Sequence, residues 1–245
     1  MNLGYYAISI IVVLIALSLH EYSHAYAAYK LGDNTAKNLG RLTLDPLKHI
    51  DPMGAICMVL FHIGWAKPVP INPRNFKDPK KGFAITAIAG PAVNIALAFI
   101  SALIYQILVV SLRGVLFAPD SFALRFWENV LLTVYLFHAI NLGLGLFNLL
   151  PFPPFDGSRF LHIILPPKVY FGIMKYERKI YLGVLAWLLL GDYVTTILRS
   201  IPFINNSAFL YTITGVFSLS DILGSVTSGV SNLMFSFWEL FPFLR

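Results

Sequence analysis

His20-Glu21-Tyr22-Ser23-His24 sets two imidazoles four residues apart with a carboxylate beside the first. On a helix, positions i and i+4 share a face, so both rings reach one ion and Glu21 reaches a water molecule next to it. This pattern suits a zinc hydrolase. Zinc lowers the pKa of its water to about 7, and the glutamate takes the proton and later passes it to a leaving amine. With six histidines in 245 residues, chance produces such a match only about 0.002 times per chain. A catalytic zinc needs a third protein ligand. The candidates are His49, His62, His138, His162 and, among carboxylates, Asp156 in Asn148-Leu149-Leu150-Pro151-Phe152-Pro153-Pro154-Phe155-Asp156-Gly157.

The elements that must position these groups follow from composition. The chain is 57% hydrophobic and 12% charged, with mean hydropathy +0.71; a water-soluble surface needs roughly 25–35% charged side chains. The reading is an integral membrane protein, which excludes a soluble enzyme, a secreted disulfide scaffold, a disordered regulator and a coiled coil. Cys57 is the single cysteine, so no intrachain disulfide forms. The net charge of +6 reads as lysine and arginine of cytoplasmic loops, and no nucleic-acid partner is implied.

Apolar runs predict spans at about 3–31, 84–112, 130–150 and 180–198, each close to the ~20 residues that cross a bilayer. The first run lacks a basic leader and reads as a retained helix, stopped by Gly32-Asp33-Asn34. A weaker candidate at 207–234 either spans or lies at the interface. The expected fold is an all-α integral membrane protein, a polytopic helical bundle with a three-helix catalytic core and at least four transmembrane helices. Residues 1–200 form the membrane domain and 201–245 an appendage. The 30–81 connection holds nine lysines and arginines, and 159–179 holds five. Both fall on one face, which the positive-inside rule makes cytoplasmic, with the N-terminus outside.

That topology bears on the third ligand. His20 lies toward the cytoplasmic end of span one and Asp156 follows the cytoplasmic end of span three, so the two meet at similar depth, whereas His49 and His62 sit in a loop where histidine is ordinarily solvated. A charged group inside an apolar span costs ~2.5–3.5 kcal/mol on insertion scales, so Glu21 between its histidines reads as functional.

The HExxH in a first membrane helix, together with Asn148…Asp156-Gly157 after a third, resembles the site-2 protease family of intramembrane zinc metalloproteases. Gly90-Pro91-Ala92-Val93-Asn94 is similar to the family's GPxxN signature, and Gly40–Pro46 with Pro68–Pro73 to its long first connection. The likeness runs from about residue 10 to 165 and is to the compact bacterial or archaeal form without a PDZ or CBS domain. Many members read Asn-x-x-Pro-x-Pro-x-x-Asp-Gly; here Pro151, Pro153 and Pro154 with Phe152 and Phe155 make a bulkier, stiffer approach to a retained Asp–Gly pair. The resemblance implies one zinc ion per chain held by His20, His24 and Asp156, with Glu21 as general base and acid. It further implies a membrane-spanning protein substrate cut within or near the lipid bilayer of a bacterial or archaeal cell, in regulated intramembrane proteolysis.

Further polar residues carry weaker expectations. His138, Asn141, Gly145 and Asn148 share one face of the third span. The resemblance implies that Asn148 stands beside the catalytic centre, its amide on substrate backbone or oxyanion, while His138 and Asn141 are assigned to interhelical packing. Asn94 is divided between structure and substrate. Val69-Pro70-Ile71-Asn72 suits an extended edge to which a substrate strand adds through Ile71 and Asn72, or a merely structural loop. The alternative function is a non-catalytic metal-binding membrane protein, a pseudoprotease or a zinc carrier. A carrier would spread ionisable groups over several helices, and a pseudoprotease would have lost one of the four site residues. A His-box lipid oxidase needs more histidines than six.

Overall fold

The protein is described here by a computed structural model covering residues 3–55, 65–205, 207 and 218–244. Its main elements are α1 (Leu3–Lys30), α2 (Pro79–Ser111), α3 (Phe122–Asn148), α4 (Asp156–Ile164), α5 (Pro167–Met174), α6 (Glu177–Ser200) and α7 (Leu219–Trp238). Among the described residues the regular structure is helical, apart from one isolated antiparallel bridge between Ile50 and Ala66. α1, α2, α3 and α6 are long and apolar enough to cross a membrane. The protein is therefore an all-α, multi-pass membrane bundle.

Helix starts are set by caps that hydropathy does not register. α2 begins at Pro79, five residues before the expected span, because the Asp78 carboxylate accepts from Lys81 N–H and Pro79 occupies the first helical position. α3 begins at Phe122, eight residues early, because Ser121 Oγ accepts from Leu124 N–H. For the expected 207–234 segment, residues 208–217 lie outside the described residues, and the remainder belongs to α7.

α2 is the central helix, packed against both α1 and α3. Ala98, Ala102 and Leu142 of α2 and α3 form a buried cluster with Met234 of α7. Polar side chains within this region face protein, as the absence of water in lipid requires. His138 Nδ1 donates to Ala98 O (2.8 Å) and its Nε2 accepts from the Ser231 hydroxyl (2.8 Å), while Trp238 Nε1 donates to Phe99 O (3.1 Å). These bonds fasten α7 to the core and give His138 the packing role expected of it.

α1 closes where Gly32 takes φ +107°. Gly32 N–H bonds Tyr29 O and Asp33 N–H bonds Ala28 O, the paired bonds of a glycine-terminated helix. Asp33, fully buried, then gathers the next connection. Its carboxylate accepts from Thr35 N–H and hydroxyl, from Asn72 N–H (2.7 Å) and from Asn75 Nδ2 (2.7 Å). The segment 67–72 is thereby tied to the end of α1. Pro68, Pro70 and Pro73 deny it helical structure.

Burial alone would raise the Asp33 pKa, but its donors, led by the Thr35 hydroxyl and the Asn72 N–H, outweigh burial and hold it below the ordinary value. A carboxylate with a depressed folded pKa stabilises the fold above its unfolded pKa, near 4, and that contribution disappears as pH falls through the folded value. Asp33→Asn is expected to lower stability by about 1–3 kcal/mol at pH 7. It should also flatten the acid side of the unfolding-temperature profile measured in detergent between pH 7 and 3.

Candidate metal centre

His20 and His24 lie one turn apart on α1, buried, with ring centroids 4.6 Å apart. Their Nε2 atoms approach to 3.0 Å, and each lies 3.1 Å from Asp156 Oδ2. Asp156 opens α4, which packs on α2 directly after the turn that ends α3. Gly157 permits this delivery, since a Cβ there would collide with the carbonyls of Leu149 and Leu150. Topology had brought Asp156 to the depth of His20, and the structure brings the two together.

α2 holds the rings from behind. His20 Nδ1 lies 2.6 Å from Asn94 Oδ1, and Asn94 Nδ2 donates to Asn141 Oδ1 (2.7 Å), which fixes the oxygen toward the imidazole. His24 Nδ1 lies 2.7 Å from Thr86 O. Each Nδ1 therefore carries the proton it donates. Between them, Gly90 gives the rings room: a Cβ at that position would stand within 3.0 Å of both imidazoles. In Gly90-Pro91-Ala92-Val93-Asn94, the glycine makes the space and the asparagine orients a ring.

These bonds decide whether a metal fits. With both Nδ1 atoms protonated, two neutral imidazoles turn their Nε2 lone pairs toward one another and toward a carboxylate oxygen. Three acceptors so arranged repel unless a cation stands among them. Ligands 2.0–2.2 Å from a tetrahedral zinc lie about 3.3–3.6 Å apart, near the separations found here. The set is nitrogen, nitrogen and oxygen, and each ring has its outer partner, as metal-ligating histidines require.

Glu21, also buried, accepts from Val69 N–H at 3.1 Å through Oε2. A cavity of about 390 Å³ opens before the cluster. Its walls include Leu17 of α1, Phe147 of α3 and Leu188 of α6, with Asn148 and Ile71 at its edge. Asn148 Nδ2 donates to Leu144 O. Asn94, divided in the sequence between structure and substrate, and Asn72 are not among the residues that line this cavity. Asn94 is fully buried behind His20, and Asn72 is occupied in turn formation, its side chain accepting from Arg74 N–H and its own N–H going to Asp33.

The other described histidines stay apart from the site. His49 is bonded to Thr43 O, His138 serves α7, and His162 stacks on Tyr170 at 4.5 Å; His62 lies outside the described residues. Thr86 and Asn141 were missed as supports. Asn141 had been placed in packing without its link to Asn94. The nearest sequence signal for Thr86 was Pro91, which deprives the adjacent Ala87 carbonyl of its helical donor. Gly90→Ala and Asn94→Ala are each expected to weaken zinc binding about 10–100-fold while the helical content persists, measured by metal titration and circular dichroism of the purified protein.

Comparison with known proteins identifies the family. The model of peptidase family M50 matches residues 8–190. "Putative zinc metalloprotease YwhC" of Bacillus subtilis is 38% identical over 188 residues, 76% of this chain and 82% of that protein. "Putative zinc metalloprotease Rip2" of Mycolicibacterium smegmatis is 29% identical over 68% of this chain and 61% of its own length. "Zinc metalloprotease MJ0392" of Methanocaldococcus jannaschii is 27% identical over 72% of this chain, and the alignment spans 39% of its own length. No solved structure matches the chain significantly. With the family model matching most of its length, the chain belongs to peptidase family M50, the site-2 proteases.

Proposed function

We propose that the protein is an intramembrane zinc endopeptidase that hydrolyses peptide bonds of membrane-spanning proteins in regulated intramembrane proteolysis. His20, His24 and Asp156 hold one zinc ion per chain, and Glu21 is the general base and acid. The observation that carries this reading is the convergence of three lone-pair donors, with a further carboxylate beside them, on one apolar-walled cavity inside a membrane bundle. The names of the relatives, all zinc metalloproteases, support it.

When bound, zinc supplies Lewis acidity, bringing the pKa of water near 7 and polarising the scissile carbonyl. The chain's own residues do the remainder. The Nδ1–H bonds to Asn94 and Thr86 keep both rings in the tautomer that presents Nε2 and raise its basicity. Glu21 has one oxygen held by Val69 N–H, so the other takes the proton from the attacking water and returns it to the leaving amine. Leu17, Phe147, Val184 and Leu188 limit water to what the reaction consumes.

A scissile peptide must be extended for its carbonyl to be reached. Val69 N–H is taken by Glu21 and Asn72 N–H by Asp33. Among the described residues the Ile71 N–H has no such partner, so it is the donor to which a substrate strand adds. Asn148 lines the cavity; one N–H of its amide bonds Leu144 O, and the other is the donor assigned to substrate backbone or oxyanion. The basic connections support a site toward the cytoplasmic side with the N-terminus outside, and the likeness to compact bacterial and archaeal members supports a bacterial or archaeal cell membrane.

Glu21→Gln is expected to keep zinc, measured by metal analysis, and to cut cleavage of a co-expressed single-span substrate by at least about 100-fold. Retained cleavage would refute the reading. Ile71→Pro, which removes the donor, is expected to raise KM about tenfold with zinc still bound, as read from cleavage kinetics at varied substrate concentration.

A further inference from the structure

The sequence motif Gly40-Arg41-Leu42 has no part in the chemistry described so far, yet its arginine is buried, at 7% exposure. Among the described residues no carboxylate lies within ion-pair distance of it. Burying a guanidinium without a counter-charge is costly, and such a group persists where its hydrogen bonds compensate. Here Nη2 donates to Lys67 O (2.6 Å) and Nη1 to Pro68 O (3.3 Å).

The second bond matters because of what shares its peptide plane. Pro68 C=O and Val69 N–H belong to one planar trans unit, in which the carbonyl and the N–H point in opposite directions. Holding the oxygen therefore aims the hydrogen. The N–H so aimed is the one that donates to Glu21 Oε2 at 3.1 Å. A carbonyl bonded to a guanidinium also polarises its peptide and strengthens the N–H at the other end. The flanking prolines, Pro68 and Pro70, restrict the backbone on either side, and Lys67 N–H bonds His49 O at 2.8 Å, so the unit has little freedom to turn by itself.

We infer that Arg41 is a positioning residue for the general base: through the Pro68–Val69 peptide it fixes one oxygen of Glu21 and so leaves the other directed to the reacting water. The inference rests on the proposed function for the role of Glu21, and on the structure alone for the linkage. Arg41 neither lines the cavity nor bonds a metal ligand, so its loss acts chiefly on turnover and leaves zinc in place.

The test uses the full-length protein in detergent, with wild type, Arg41→Gln, Arg41→Lys and Glu21→Ala. Amide hydrogen exchange is followed on peptides spanning 66–72, a stretch whose two prolines leave few exchangeable amides. Both Arg41→Gln and Glu21→Ala are expected to speed exchange at Val69. In cleavage of a single-span substrate carrying a soluble tag at each end, Arg41→Gln should lower kcat about tenfold or more with KM less affected and zinc content unchanged. Arg41→Lys, which keeps one donor, should recover part of the loss. Unchanged exchange at Val69, unchanged kcat, or loss of zinc together with activity would each overturn the inference. If zinc-loaded wild type cleaves no such substrate, the proposed function is what fails, and the exchange measurement still decides the linkage.

Discussion

Three lone pairs facing one another at 3.0–3.1 Å inside a membrane bundle are the constraint around which the rest of the molecule is arranged. Three acceptors this close are held together only by a cation among them, a metal ion or a proton on a ring. Each feature near it serves that convergence. α1 supplies the i, i+4 pair, α2 orients both rings and makes space at Gly90, and the turn after α3 delivers Asp156 through a glycine that lets two chain segments nearly touch. The polar line from His20 through Asn94 to Asn141 ties all three helices of the core to a single ligand.

A second arrangement stands opposite the first and is made from a segment that cannot be regular structure. Residues 67–72, rich in proline, find partners for their backbone groups in side chains instead of a helix or sheet ladder. Arg41 takes two carbonyls, Asp33 one N–H and Glu21 another. The loop therefore works as a braced wall of the catalytic cavity, and the end of α1 is coupled to it through Asp33. Functional backbone at membrane depth is tolerated on just these terms, covered by protein and lining a cavity.

Much of this was legible in the residues. Helical spacing alone placed His20, Glu21 and His24 on one structure, and the distribution of lysine and arginine brought Asp156 to their depth. What could not be read was set by the meeting of helices. That Asn94 lies behind His20 and bonds its ring depends on how α1 and α2 cross, which no local pattern contains. Arg41 had counted as a charge orienting the chain and as part of the family-like Gly40–Pro46 stretch, without a partner, and Asp33 only as part of a helix stop. The relevant clue was chemical: a run of prolines leaves carbonyls without helical donors, and a buried arginine or aspartate nearby is what can pair with such a backbone. Helix starts at Pro79 and Phe122 were missed because capping by Asp78 and Ser121 extends helices past the apolar run.

The central claim is that His20, His24 and Asp156 together hold zinc. X-ray absorption at the zinc edge of the purified, zinc-loaded protein tests it most directly. The account predicts a four-coordinate site of nitrogen and oxygen at about 2.0–2.1 Å, with the multiple-scattering signature of two imidazoles. A sulfur scatterer near about 2.3 Å, or one imidazole or none, would contradict it.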